Sequence, residues 1–106
     1  MSQIFTLIGA ASSVTTSPKL DLTDDELGAS ITYQATVRGV GAVSASVVIE
    51  VSNDDIGWLA DGTATISLGG TDVASAGFIS TSKWAYVRAR VTAISDNSSV
   101  SVTAGG

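Results

Sequence analysis

The sequence predicts an all-β domain, an antiparallel β-sandwich of jelly-roll type built from seven or eight short strands. Three observations predict it. Apolar and polar residues alternate with a period of two through several stretches, as in Ile31-Thr32-Tyr33-Gln34-Ala35-Thr36-Val37-Arg38. Turn residues interrupt these stretches about every 8–12 residues. No stretch carries a sustained helical period. An immunoglobulin-like sandwich would use the same strands and remains the alternative arrangement.

The elements follow in chain order. Gln3–Ile8 reads as a first strand, apolar on both faces and including Phe5. Residues 9–18 are rich in Ala, Ser and Thr and read as an arm or long loop ending at Pro18. Lys19-Leu20-Asp21-Leu22 is a short extended segment. Thr23-Asp24-Asp25-Glu26 matches a helix capping box, but Gly28 limits it to a single turn. Ser30–Arg38 directs Ile31, Tyr33, Ala35 and Val37 inward, and Gly39-Val40-Gly41 is a turn. The next strand turns Ala45, Val47, Ile49 and Val51 inward, with Ser44, Ser46, Val48, Glu50 and Ser52 outward. Asn53–Gly57 is a turn cluster. Trp58-Leu59 restarts an extended segment and Asp61-Gly62 turns again. Ala64, Ile66 and Leu68 face inward before Gly69-Gly70-Thr71-Asp72 breaks the strand, and the chain is extended again around Phe78.

The most regular stretch is Lys83–Ile94. Its odd positions Ala85, Val87, Ala89, Val91 and Ala93 are small and apolar, which suits a core face. Its even positions Trp84, Tyr86, Arg88 and Arg90 form a ridge of aromatic and guanidinium groups on the other face. Asp96-Asn97-Ser98 then makes a hairpin turn into a last strand with Val100 and Val102 inward. Pro18, the single proline, lies outside every strand.

Composition bounds the chemistry. A chain of 106 residues fits one domain, residues 1–106, with one core. It has no cysteine and no histidine, so a disulfide scaffold, thiolate metal sites and His-dependent catalysis are excluded. A net charge of −5 argues against a nucleic-acid partner, which requires a basic stripe. Charged residues make up only 14% of the chain, so hydroxyl groups solvate much of its surface. The N-terminus lacks the basic region of a signal peptide, and no apolar run reaches the length of a membrane helix. The expectation is a non-enzymatic chain made in the cytosol, with no cofactor, no metal and no membrane partner.

Candidate sites are therefore surfaces. The ridge Trp84, Tyr86, Arg88 and Arg90, with Phe5, is a candidate partner or self-association interface, since aromatics and arginine dominate contact energies. Its bland alternative is a face packed within the sandwich with the guanidinium groups emerging at one end. Trp58, beside an acidic turn, could stack a sugar ring, or simply cap the core. The clusters Asp21/Asp24/Asp25/Glu26 and Asp54/Asp55/Asp61 lack calcium-loop spacing and read as turns, a cap and solvation.

Several runs carry a family likeness. They are Val47-Val48-Ile49-Glu50-Val51-Ser52-Asn53-Asp54, Gly57-Trp58, Ile66-Ser67-Leu68-Gly69-Gly70-Thr71-Asp72, Gly77-Phe78 and Trp84–Ser95. Together, over about residues 44–103, they resemble small structural proteins of tailed bacteriophages, above all the capsid cement or decoration proteins of short-tailed phages. The resemblance implies a jelly roll bound as a homodimer to the outside of the head shell, with the major capsid protein as partner. It implies a virion location after assembly in the host cytoplasm, and stabilisation of the shell by bridging capsid subunits. Tail and neck proteins use similar sandwiches. A carbohydrate-binding module for host glycans, with Trp58 and Trp84 as stacking platforms, is the alternative from another functional class.

Overall fold

The computed structural model describes residues 4–21, 30–81 and 84–105, with the side chains of 61–64 outside that description. The capping box at Thr23–Glu26 and Lys83 therefore fall outside the described residues. The strands are β1 (Ile4–Ala11), β2 (Thr15–Thr16), β3 (Leu20–Asp21), β4 (Ile31–Ser52), β5 (Leu59–Ser80), β6 (Tyr86–Ile94) and β7 (Ser98–Gly105). All pairings are antiparallel.

β4 and β5 each contain 22 residues. A straight strand of that length would reach about 70 Å. The molecule's longest dimension is 40 Å, so both strands must bend. The bend in β4 lies at Gly39–Gly41, where three β4 residues oppose the single Asp72 of β5. Two extra residues preserve the alternation, so odd positions face the core on both sides of the bend. Gly41 has φ of +78°, and its N–H donates to Asp72 Oδ1 at 2.8 Å. A Cβ on Gly39 would lie 2.6 Å from the Asn97 carbonyl oxygen, so the neighbouring turn packs against bare backbone.

The bend divides the sheet into two facing layers. In the first, β1, β7, the N-terminal half of β4 and the C-terminal half of β5 lie side by side. In the second, β2 and β3 pair with β6, which pairs with the C-terminal half of β4, which pairs with the N-terminal half of β5. With the halves of β4 and β5 taken separately, the first arm of the chain pairs with the last, the second with the one before it, and so on inward. This is jelly-roll pairing, and the sheet is nearly closed into a barrel-like shape. The predicted fold class is the observed one.

The core lies between the layers. Val37, Val47, Ile49, Val87, Val100 and Val102 are all fully buried in it. Tyr33 is buried with them and meets Phe78 at 5.2 Å between ring centroids. Burying an aliphatic side chain of this size contributes roughly 1.5–3 kcal/mol each.

Four local expectations are corrected. Gly39-Val40-Gly41 and Gly69–Asp72 do not end strands; β4 and β5 continue through both with paired neighbours on either side. The turn at Asp96–Ser98 does not form a hairpin: β6 and β7 lie end to end along the same edge of β4. The local chemistry is that of a tight turn, with Asn97 at φ 57°, but pairing with β4 makes it a corner between layers. Ala93 is exposed and Ile94 packs against the core, because an extra residue in β6 between Val91 and Ala93 reverses the alternation. Residues 9–18 are not a free arm. Gly9–Ala11 complete β1, Thr15 and Thr16 pair with β6, and the buried Ser17 bonds Ala89 twice. The Ser17 N–H donates to the Ala89 carbonyl at 2.8 Å, and the Ala89 N–H donates to Ser17 Oγ at 2.9 Å.

Candidate functional site

The outer face of the second layer collects most of the residues singled out above. Even positions of β4 and β6 share this face, and register sets them in rows: Glu50 beside Arg88, Val48 beside Arg90 and Ser52 beside Tyr86. Arg88 Nε donates to Glu50 Oε1 at 2.8 Å, and Arg90 Nε reaches Glu50 Oε2 at 3.3 Å. One carboxylate thus holds two guanidinium groups. Glu50 is nearly buried although its strand position faces outward, because these side chains cover it.

The turn after β4 completes the cluster. Ser52 Oγ accepts the N–H groups of Asp54 and Asp55 and donates to Asp54 Oδ1. Asp54 Oδ1 also accepts the N–H groups of Ile56 and Gly57, each at 2.9 Å. Those two backbone donors, then the Ser52 hydroxyl, hold the Asp54 carboxyl below its ordinary value. Folded in this way, the turn delivers Trp58 onto the Arg88 guanidinium, 4.1 Å from ring to cation. At the other end, Lys19 pairs with Asp55 and lies 4.8 Å from the Tyr86 ring. The hydrogen bond to Asp55 is the largest cause raising the Lys19 pKa.

The ridge is therefore part of a larger mosaic of Trp58, Arg88, Glu50, Arg90, Tyr86, Lys19 and Asp55. Arg90 is its most exposed guanidinium, with 46% of its side chain open to solvent. The mosaic offers a cation flanked by aromatic surface, suited to an acidic or polar partner surface. Trp84 stands apart: it precedes β6 and packs against the core. Phe5 lies across from Ala104 in the first layer and also packs against the core. Sequence parity marks Glu50 only as an outward residue. Its signal was available, since it is the one acid at an even β4 position and would meet Arg88 and Arg90 once β4 and β6 were neighbours.

A second feature lies on the outer face of the first layer. A depression of about 450 Å³ is lined by Thr32, Gln34, Ser75 and Thr103 together with Phe78 and the exposed Ile4 and Ile79. Among the described residues no group of three or more carboxylates converges as a metal site would require.

No family model matches the chain, and no curated protein matches its sequence. Among solved structures, the chain is similar to the SPBc2 prophage-derived protein YomS, with a TM-score of 0.56 and 14% identity. The likeness covers 100% of this chain and 94% of that one. At this identity the likeness is one of fold.

Proposed function

We propose that this chain is a phage structural protein without catalytic activity. In this reading it is a cement or decoration protein that binds the outer surface of the head shell and bridges capsid subunits. The observation that carries the reading is an end-to-end fold likeness to a protein encoded in a prophage, joined to the phage-like runs in the sequence. The major capsid protein is the proposed partner, and the mosaic around Arg90 and Tyr86 is the proposed contact. Attachment to a repeated lattice allows each contact to be weak while many together hold firmly.

The primary test is copy number in purified particles, by quantitative mass spectrometry against the major capsid protein. A large fraction of the capsid copy number is expected. A handful of copies would move the chain to the neck or tail, and absence would end the virion reading. The contact itself is tested with Arg90→Glu, an exposed reversal that should abolish binding to empty shells; unchanged binding would remove the mosaic as the contact. Recognition of host glycans ranks second, because Arg88 already covers one face of Trp58.

A further inference from the structure

We propose that the depression on the outer face of the first layer binds a neutral saccharide laid across the strands. Register assembles the depression in rows, because residues directly opposite one another share a face. One row runs Ile4, Gly105, Thr32, Ile79. The next runs Thr103, Gln34, Gly77. Each row contains a glycine. A side chain at 77 is forbidden, since a Cβ there would collide with the Tyr33 carbonyl oxygen. A ligand can therefore approach bare backbone at this point. The volume of about 450 Å³ is that of a small-molecule site.

The lining selects the class of ligand. None of the residues that line the depression carries a charge, so a phosphate, a uronate or an amine finds no ion to pair with. The polar groups are hydroxyls and one carboxamide, which both donate and accept. Thr32 Oγ1 donates to the Gly105 carbonyl at 3.2 Å and keeps its lone pairs for a ligand. Ser75 and Thr36 share one hydrogen bond of 2.7 Å between their hydroxyls, which leaves one proton of the two free. Among the described residues, the Gln34 carboxamide and the Thr103 hydroxyl have no hydrogen-bond partner. An aliphatic side chain from a protein partner would cover these groups and leave them unpaired, which is costly. A sugar would pair them, because its own hydroxyls donate and accept. Its C–H groups would rest on Ile4 and Ile79, which are 76% and 68% exposed. Three strand spacings separate those two residues, about 14 Å, which suits a short run of sugar units. The site is distinct from Trp58, which lies on Arg88 of the second layer. The mosaic also belongs to that layer, so occupation of one face leaves the other open. The proposal does not depend on the virion reading.

The test is native electrophoresis of the full chain in gels containing dextran, soluble starch or galactomannan, with polygalacturonate as the anionic comparison. At least one of the three neutral polymers should retard the chain, and polygalacturonate should not. Gln34→Ala removes the carboxamide between Thr103 and Gly77 and should weaken retardation at least about fivefold. Thr103→Val keeps the shape and removes only the hydroxyl, and should weaken it at least about twofold. Gln34 is exposed, so far-UV circular dichroism and urea unfolding of its variant should match the wild type. No retardation by any neutral polymer, equal retardation by polygalacturonate, or retardation unchanged in either variant would overturn the proposal. Loss of retardation in Trp58→Ala with Gln34→Ala unaffected would also overturn it, by placing the sugar on the second layer.

Discussion

Replacing Glu50 by Gln tests whether one carboxylate organises the outer face of the second layer. The substitution keeps the shape and removes the charge from between Arg88 and Arg90. Its magnitude can be worked from exposure. The Glu50 side chain is 12% exposed and that of Arg88 is 28% exposed. A charge-assisted hydrogen bond contributes roughly 1.5–3 kcal/mol, and a surface ion pair about 0.2–1. The Glu50–Arg88 pair, short and mostly covered, belongs near the boundary, at about 1.5 kcal/mol. Arg90 is 46% exposed and its contact is 3.3 Å, so solvent screening brings that coupling below about 0.5 kcal/mol. Glu50→Gln should therefore cost about 2 kcal/mol in all, which lowers Tm by roughly 10 °C in a domain of this size.

The assay is a double-mutant cycle with Arg88→Gln and separately with Arg90→Gln, each read by urea unfolding. In a Trp84→Phe background, Trp58 fluorescence reports the local environment, because its ring lies on Arg88. A coupling to Arg90 equal to or larger than that to Arg88 would refute the reasoning, since it would mean that burial does not decide the strength of these pairs. A cost below about 0.5 kcal/mol for Glu50→Gln would refute it more simply, placing the cluster among ordinary surface charges.

Two further perturbations follow from the bend and the turn. Gly39→Ala places a Cβ 2.6 Å from the Asn97 carbonyl oxygen and 2.9 Å from Val43 Cγ1, and should cost about 1–3 kcal/mol by urea unfolding. Gly69→Ala meets nothing within 4 Å and should stay within about 0.5 kcal/mol as its control. Asp54 has a folded pKa lowered below its ordinary 3.8, so its contribution is present above that value and is lost as pH falls through the folded one. Asp54→Asn lacks this titration, so stability measured against pH should fall more steeply below 3.8 for the wild type than for the variant.

Alternation made the core legible. Ile31, Tyr33, Ala35, Val37, Val47, Ile49, Val51, Val100 and Val102 face inward as their parity requires. Local chemistry also identified the bends, since Gly39-Val40-Gly41 and Asn97 do turn the chain. It could not distinguish a turn that reverses a strand from a corner that carries it into the other layer. That distinction depends on which strand lies alongside, and β4 supplies the neighbour for both β6 and β7 across a long sequence separation. Bulges were hidden for the same reason: the extra residue in β6 that exposes Ala93 is visible only against the register of β4. The ridge was legible as one face of a strand. Its carboxylate partner and the covering tryptophan come from two other places in the chain, so the site emerged only with the pairing.

The edges of the sandwich give the placement of these surfaces a physical logic. On one flank, β1 pairs with β7 through two register shifts, and Pro18 separates β2 from β3. Both devices deny an incoming strand a regular ladder. On the other flank, the stretch Val73–Ile79 of β5 carries no charge and is apolar at two outward positions, Val73 and Ile79. The Glu50–Arg88–Arg90 mosaic lies on the outer face of the second layer, whereas the C-terminal half of β5 belongs to the first. If the mosaic is a contact with a repeated surface, each attachment through it can be weak while the many copies on the lattice together hold firmly.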